Sequence, residues 1–254
     1  DGPRATAHGE TSGGKALTRD GTADWSVVKT AGYAGWSTQK WTRADNGDGS
    51  WRTLQPFAGV SGLRSFGWGD LDGDGDPDAA LLDRQGDVHL FANRQAGEFQ
   101  RIDTAPALRG VIALTVGDAN ADGVLDVVTL DARGSIRRTS ANREGWDQQV
   151  LASWPDWPGE RTPGTYRLFL ADVDNNGALD LVASGPGHSR VWLADERNEF
   201  RRSPSALDAE IFSVVDLDND GQLDLVGLSD GRPVRMVGRG TRGYHWQAIR
   251  PRAQ

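Results

Sequence analysis

Between Asp70 and Asp78 the chain reads DLDGDGDPD, with an aspartate at every second position. Three later stretches share the pattern D-x-[DN]-x-[DN]-G-x-x-D: DANADGVLD (Asp118 to Asp126), DVDNNGALD (Asp172 to Asp180) and DLDNDGQLD (Asp216 to Asp224). Acids or amides at positions 1, 3 and 5 of a tight turn, a carbonyl at 7 and an acid at 9 bring five or six oxygens to one point. Glycine at 6 permits the bend. An oxygen set of this size suits a hard cation and favours calcium over the smaller, rigidly octahedral magnesium. The candidate ligands are Asp70, Asp72, Asp74 and Asp78; Asp118, Asn120, Asp122 and Asp126; Asp172, Asp174, Asn176 and Asp180; and Asp216, Asp218, Asp220 and Asp224. Asp76, Val124, Ala178 and Gln222 hold the seventh position, which lends its backbone carbonyl.

The cost of such a loop argues for the same chemistry. Carboxylates about 4 Å apart repel by about 1 kcal/mol per pair even at the dielectric of water. An empty loop should splay, and a bound divalent cation turns the repulsion into folding energy. About four structural calcium ions are expected. An EF-hand opens in the same way but needs flanking helices and a glutamate at position 12, where this chain has Leu81, Thr129, Ala183 and Gly227.

The elements around the loops repeat with them. Short apolar runs precede the loops (Ile112 to Val116, Tyr166 to Leu170, Ile211 to Val215) and follow them (Ala79 to Leu82, Val127 to Leu130, Leu181 to Ala183, Leu225 to Leu228). Each is of strand length, so every loop joins two strands. A turn and a third strand come next, and an aromatic closes the unit: Phe99, Trp146, Phe200 and Tyr244 lie 28 or 29 residues after the first aspartate. Four-stranded units of this length cannot bury both faces alone and pack as blades around an axis. The expected fold is an all-β propeller of antiparallel blades over residues 16–250, behind a flexible segment at 1–15. Five blades are visible, at about 16–55, 63–104, 111–152, 165–204 and 209–250; the first is a degenerate copy without ligands, closed by NGDGSW.

Composition narrows the function. The 254 residues carry 28 basic and 36 acidic side chains, a net charge of -8, which disfavours nucleic acid as a partner. Fifteen of the 36 acids lie in the four loops. No apolar run approaches membrane-spanning length, so no membrane insertion is expected. With no cysteine, disulfides, thiolate metal sites and cysteine nucleophiles are excluded. The sequence begins at Asp1 with neither methionine nor a signal segment and reads as a processed form or an internal portion of a longer chain.

The loop between two strands, with a closing turn such as NGDGSW, resembles the FG-GAP/VCBS repeat of integrin α-chain propellers and of secreted bacterial proteins. The tail GYHWQAIRPR is similar to the start of the UnbV/ASPIC segment of cartilage-acidic-protein-like chains. The resemblance implies calcium on the loop residues named above, an extracellular or periplasmic location, and a role in adhesion or ligand binding.

Other constellations are weaker. GETSGGKA (Gly9 to Ala16) approaches a phosphate loop, but Ala16 stands where a metal-binding hydroxyl is required and no strand precedes it. The four histidines lack metal-ligand spacing, no nucleophile elbow occurs, and His89 reads as structural. Trp154 and Trp157 lie in the proline-stiffened connection SWPDWPGERTPG. Either they are buried beneath that loop, or they join Tyr33, Trp36 and His188 on the face opposite the metal loops, where aromatics suit a glycan or a protein partner. The leading expectation is a non-catalytic, calcium-stabilised binding or adhesion module. A polysaccharide lyase-like enzyme on the same scaffold and a purely structural domain are the alternatives.

Overall fold

The computed structural model describes residues 55–95, 97–154 and 162–238, together with the backbone of three strands at 24–25, 42–45 and 51–54. The tail, the Gly9 to Ala16 stretch, Tyr33, Trp36, Trp157 and Tyr244 lie outside the described residues. Every regular element described is a β-strand. The strands form five antiparallel sheets, each pairing its strands in chain order. The first sheet joins β1 (Asp24–Trp25), β2 (Thr42–Asp45) and β3 (Trp51–Leu54). The second joins β4 (Ser65–Gly69), β5 (Asp78–Leu82), β6 (Val88–Asn93) and β7 (Phe99–Arg101). The third joins β8 (Val111–Gly117), β9 (Asp126–Asp131), β10 (Ser135–Asn142) and β11 (Gly145–Ser153). The fourth joins β12 (Arg167–Ala171), β13 (Asp180–Gly185), β14 (His188–Ala194) and β15 (Phe200–Arg202). The last joins β16 (Glu210–Val215), β17 (Asp224–Ser229) and β18 (Arg232–Met236). These sheets are the blades of a β-propeller.

The second strand of each blade explains how the blades cohere. β5 and β13 are buried along their whole length, as a strand covered on both faces must be. Their side chains alternate between two interfaces because the strand period is two. In β9, Val127 joins the cluster of Leu71, Ala80, Leu82, Leu90 and Leu114, while Val128 and Leu130 join Ile112, Trp154, Tyr166, Leu181 and Trp192. In β13, Leu181 and Ala183 face back into that second cluster, and Val182 faces forward to Ile211 and Leu225. The core is thus a series of inter-blade seams. The closing aromatics Phe99, Trp146 and Phe200 each pack on the seam behind their own blade.

First strands approach one another closely. A Cβ on Gly69 would lie 2.7 Å from both Leu125 Cδ1 and Val116 Cγ1, and one on Gly117 would lie 2.9 Å from Leu170 Cδ1. Both glycines immediately precede an acidic loop, so the absence of a side chain there lets the next blade close up beside it.

Candidate metal centres

Each acidic loop spans the gap between the first and second strand of its blade, and the four loops share one hydrogen-bond scheme. The first aspartate caps the turn. Asp70 accepts from the N–H groups of Asp74 at 3.1 Å and Gly75 at 2.9 Å. Asp118 accepts from Asp122 and Gly123, Asp172 from Asn176 and Gly177, and Asp216 from Asp220 and Gly221, all within 3.1 Å. The fifth residue accepts from the seventh N–H at 2.7 to 3.0 Å: Asp74 from Asp76, Asp122 from Val124, Asn176 from Ala178 and Asp220 from Gln222.

The ninth aspartate ties the loop to the sheet. Asp78, Asp126 and Asp180 are fully buried and Asp224 is 2% exposed. Each accepts from the N–H of the second loop residue, namely Leu71, Ala119, Val173 and Leu217, at 2.8 to 3.1 Å. On its other oxygen Asp78 accepts from the N–H of Asn93 and Asp180 from that of Ala194, each at 2.8 Å, while Asp126 accepts from the Ser140 hydroxyl. Burial raises the carboxyl pKa of Asp78, Asp126 and Asp180, the last to about 6. Asp72 and Asp74 push Asp78 further in the same direction, as Asp174 does Asp180.

Two left-handed backbone positions shape every loop. Glycine at position 6 has φ between 85° and 94° in all four. Position 4 is left-handed as well: Gly73 (78°), Ala121 (57°), Asn175 (62°) and Asn219 (61°). The motif as read from the sequence contained only the first of these. Gly, Asn and Asn at position 4 were the available signal, since these residues tolerate the left-handed region.

The loops meet the demands of a hard cation to different degrees. Asp70, Asp72 and Asp78 bring carboxylate oxygens within 4.8 Å of one another, as do Asp172, Asp174 and Asp180. In 118–126, Asn120 donates to Asp122 at 2.8 Å, while its buried Oδ1 meets no hydrogen-bond partner among the described residues. An orphaned oxygen at the third position is what a coordinating amide would present. Asp76 Oδ2 accepts from Gln95 Nε2 at 2.8 Å, and Asp76 is not among the converging acids of its loop. In 216–224 the converging acids are Asp216, Asp218 and Asp220, without Asp224.

Arginines from the third-strand side reach three loops, a feature the loop motif alone does not contain. Arg94 approaches Asp72 and Asp74 at 3.5 and 3.6 Å. Arg138 lies 3.9 Å from Asp122 and 3.7 Å from Asp126, but 2.7 Å from Asp147. Arg235 lies 2.5 Å from Asp218 and 2.9 Å from Asp224. Arg138 stands opposite Val128 and Arg235 opposite Val226, the same register two residues past the ninth aspartate. Aligning the third strands of the repeats would have revealed this pair.

The aromatic face needs a correction. Trp154 is 1% exposed and packs edge-on against Tyr166, His188 and Trp192, with ring centroids 5.5 to 6.3 Å apart. Its backbone N–H donates to Gly134 O at 2.7 Å, which pins the start of the connection beneath the 131–135 turn. Trp154 therefore seals a seam and offers no ring to a ligand. His188 is half-buried against it. His89 is held by Asp83 at 2.8 Å on one ring nitrogen and by Arg101 on the other.

Comparison with known proteins follows the repeats. The model of the FG-GAP-like repeat matches residues 70–129 and again 172–227. No curated protein matches the chain in sequence. Among solved structures, the Tc holotoxin pore of Photorhabdus luminescens is 18% identical over 85% of this chain, with a TM-score of 0.43. A protein from Lactobacillus plantarum is 11% identical over 84% of this chain, with a TM-score of 0.47. The chain spans 10% of the first and 66% of the second.

Proposed function

Given a chain that carries FG-GAP-like repeats on β-propeller blades, we propose that it is a non-catalytic, exported binding module whose blades are clasped by calcium. The observation that carries this reading is the recurrence, four times, of one loop scheme. A buried ninth aspartate and a capping first aspartate surround a third-position oxygen, and in 118–126 that oxygen lacks a partner. Asp70, Asp72 and Asp78 would hold one ion, Asp118, Asn120 and Asp126 a second, and Asp172, Asp174 and Asp180 a third, each joined by the seventh carbonyl. The ion supplies positive charge where burial and neighbouring acids penalise the carboxylates. Affinities of 10⁻⁴ to 10⁻³ M, typical of extracellular modules, suit calcium levels outside the cell. No helix among the described residues is long and apolar enough to cross a membrane.

The partner is a protein or a glycan engaged on the face opposite the loops, and the module contributes recognition rather than turnover. Calorimetric titration with calcium, paired with thermal melts in calcium and in excess chelator, tests the metal. We expect chelation to lower the melting temperature by about 5 °C or more, and an unchanged melt with no binding heat refutes the clasp. A glycan array run alongside a polysaccharide-turnover screen tests the rest. Binding without turnover supports the module, whereas turnover assigns the scaffold to an enzyme.

A further inference from the structure

Loop 216–224 handles its charge differently from the others, and we propose that Arg235 is its resident cation, so that this loop folds without calcium. The inference rests on the calcium reading for the other three loops and on geometry for this one. A single guanidinium nitrogen, Nη2, lies 2.5 Å from Asp218 Oδ2 and 2.9 Å from Asp224 Oδ2. It thereby bridges the third and ninth positions, which a calcium ion would otherwise join. Charge-assisted bonds to two carboxylates are among the stronger hydrogen bonds proteins make.

The acids differ in one respect. Asp224 Oδ2 keeps the bond from the Leu217 N–H that every ninth aspartate makes, at 3.1 Å, but Asp224 is not part of the converging trio of Asp216, Asp218 and Asp220. In 70–78 and 172–180 the ninth aspartate is part of the trio. The other two arginines do not act in this way. Arg94 is 47% exposed and stays 3.5 Å or more from the third and fifth carboxylates of its loop. Arg138 gives its short contact to Asp147 and remains 3.7 Å or more from its loop. A calcium ion entering 216–224 must break both bonds to Arg235 and then share the basin with a charge of its own sign. Arg235 reaches the loop from β18, three residues past the 229–232 turn, and its side chain is 31% exposed against 47% for Arg94.

Arg235→Met keeps the aliphatic stem and removes the charge. In excess EDTA we expect it to melt about 5 °C below the wild-type chain, with added calcium recovering the loss, while Arg94→Met in the same buffer shifts the melt by about 1 °C at most. Equilibrium dialysis against saturating calcium supplies the count. The wild-type chain should take three ions and Asp220→Asn the same three; Asp72→Asn should lose one and Arg235→Met gain one. An Arg235→Met melt equal to wild type in EDTA overturns the proposal, as does an ion lost from Asp220→Asn. If the wild-type chain takes no calcium, the calcium reading fails by itself, and the EDTA melt still decides whether Arg235 holds this loop.

Discussion

Asp180 shows how much a single buried group can govern. Burial is the largest influence on its carboxyl, raising it from 3.8 to about 6 against the opposing hydrogen bonds from Ala194 and Val173. Because the folded pKa exceeds the unfolded one, the folded state holds the proton more tightly. The ionisation penalty is absent below about pH 4, grows between 4 and 6, and is complete above 6. Its size is on the order of 3 kcal/mol. In chelator, the stability of the wild-type chain relative to Asp180→Asn should therefore fall as pH rises through that window. A difference curve flat from pH 4 to 6.5 contradicts the assignment. Ala121 invites a gain. It is the one residue at position 4 of the four loops that is neither glycine nor asparagine, and its left-handed backbone carries strain that glycine avoids. Ala121→Gly should raise stability by about 0.5 kcal/mol, read from denaturant midpoints at constant slope.

At the scale of elements, strands and loops were legible in the sequence for different reasons. The second strands could be read because burial on both faces demands an unbroken apolar run, as in DAALL of β5. The loops could be read because oxygen chemistry demands fixed spacing. Trp154 could not be placed, because its burial depends on Tyr166, His188 and Trp192, which sequence proximity does not bring together. Proline and glycine around it suggest an exposed connection, but the backbone hydrogen bond to Gly134 commits its backbone to the seam at the start of that connection. Arg235 escaped for a related reason: its partners lie across the sheet, at sequence separations of 11 and 17 residues. Trp154→Ala should cost about 3–5 kcal/mol in chemical unfolding, as loss of a buried aromatic does, and leave ligand binding by the folded fraction unchanged. A variant that folds normally but loses binding would return Trp154 to the ligand face.

At the scale of the whole molecule, charge is the quantity that integrates the loops. The chain carries a formal charge of -8. Three bound calcium ions would bring it to about -2, and four would bring it to about zero. Native electrophoresis with and without calcium should therefore slow the anodic migration strongly without abolishing it, and mobility close to zero would favour a fourth ion. The seams carry a further consequence. The loops share one backbone hydrogen-bond scheme, yet the seams among the described residues are lined differently. One is built from Trp154, Tyr166 and Trp192, while the next relies on Val182, Val191, Ala209 and Ile211. Consecutive blades consequently recognise one another by shape, and the order of the described blades is written in the faces of β5, β9, β13 and β17 rather than in the motif they share. Duplicating or transposing a blade would preserve every clasp and still produce a chain whose surfaces do not mate.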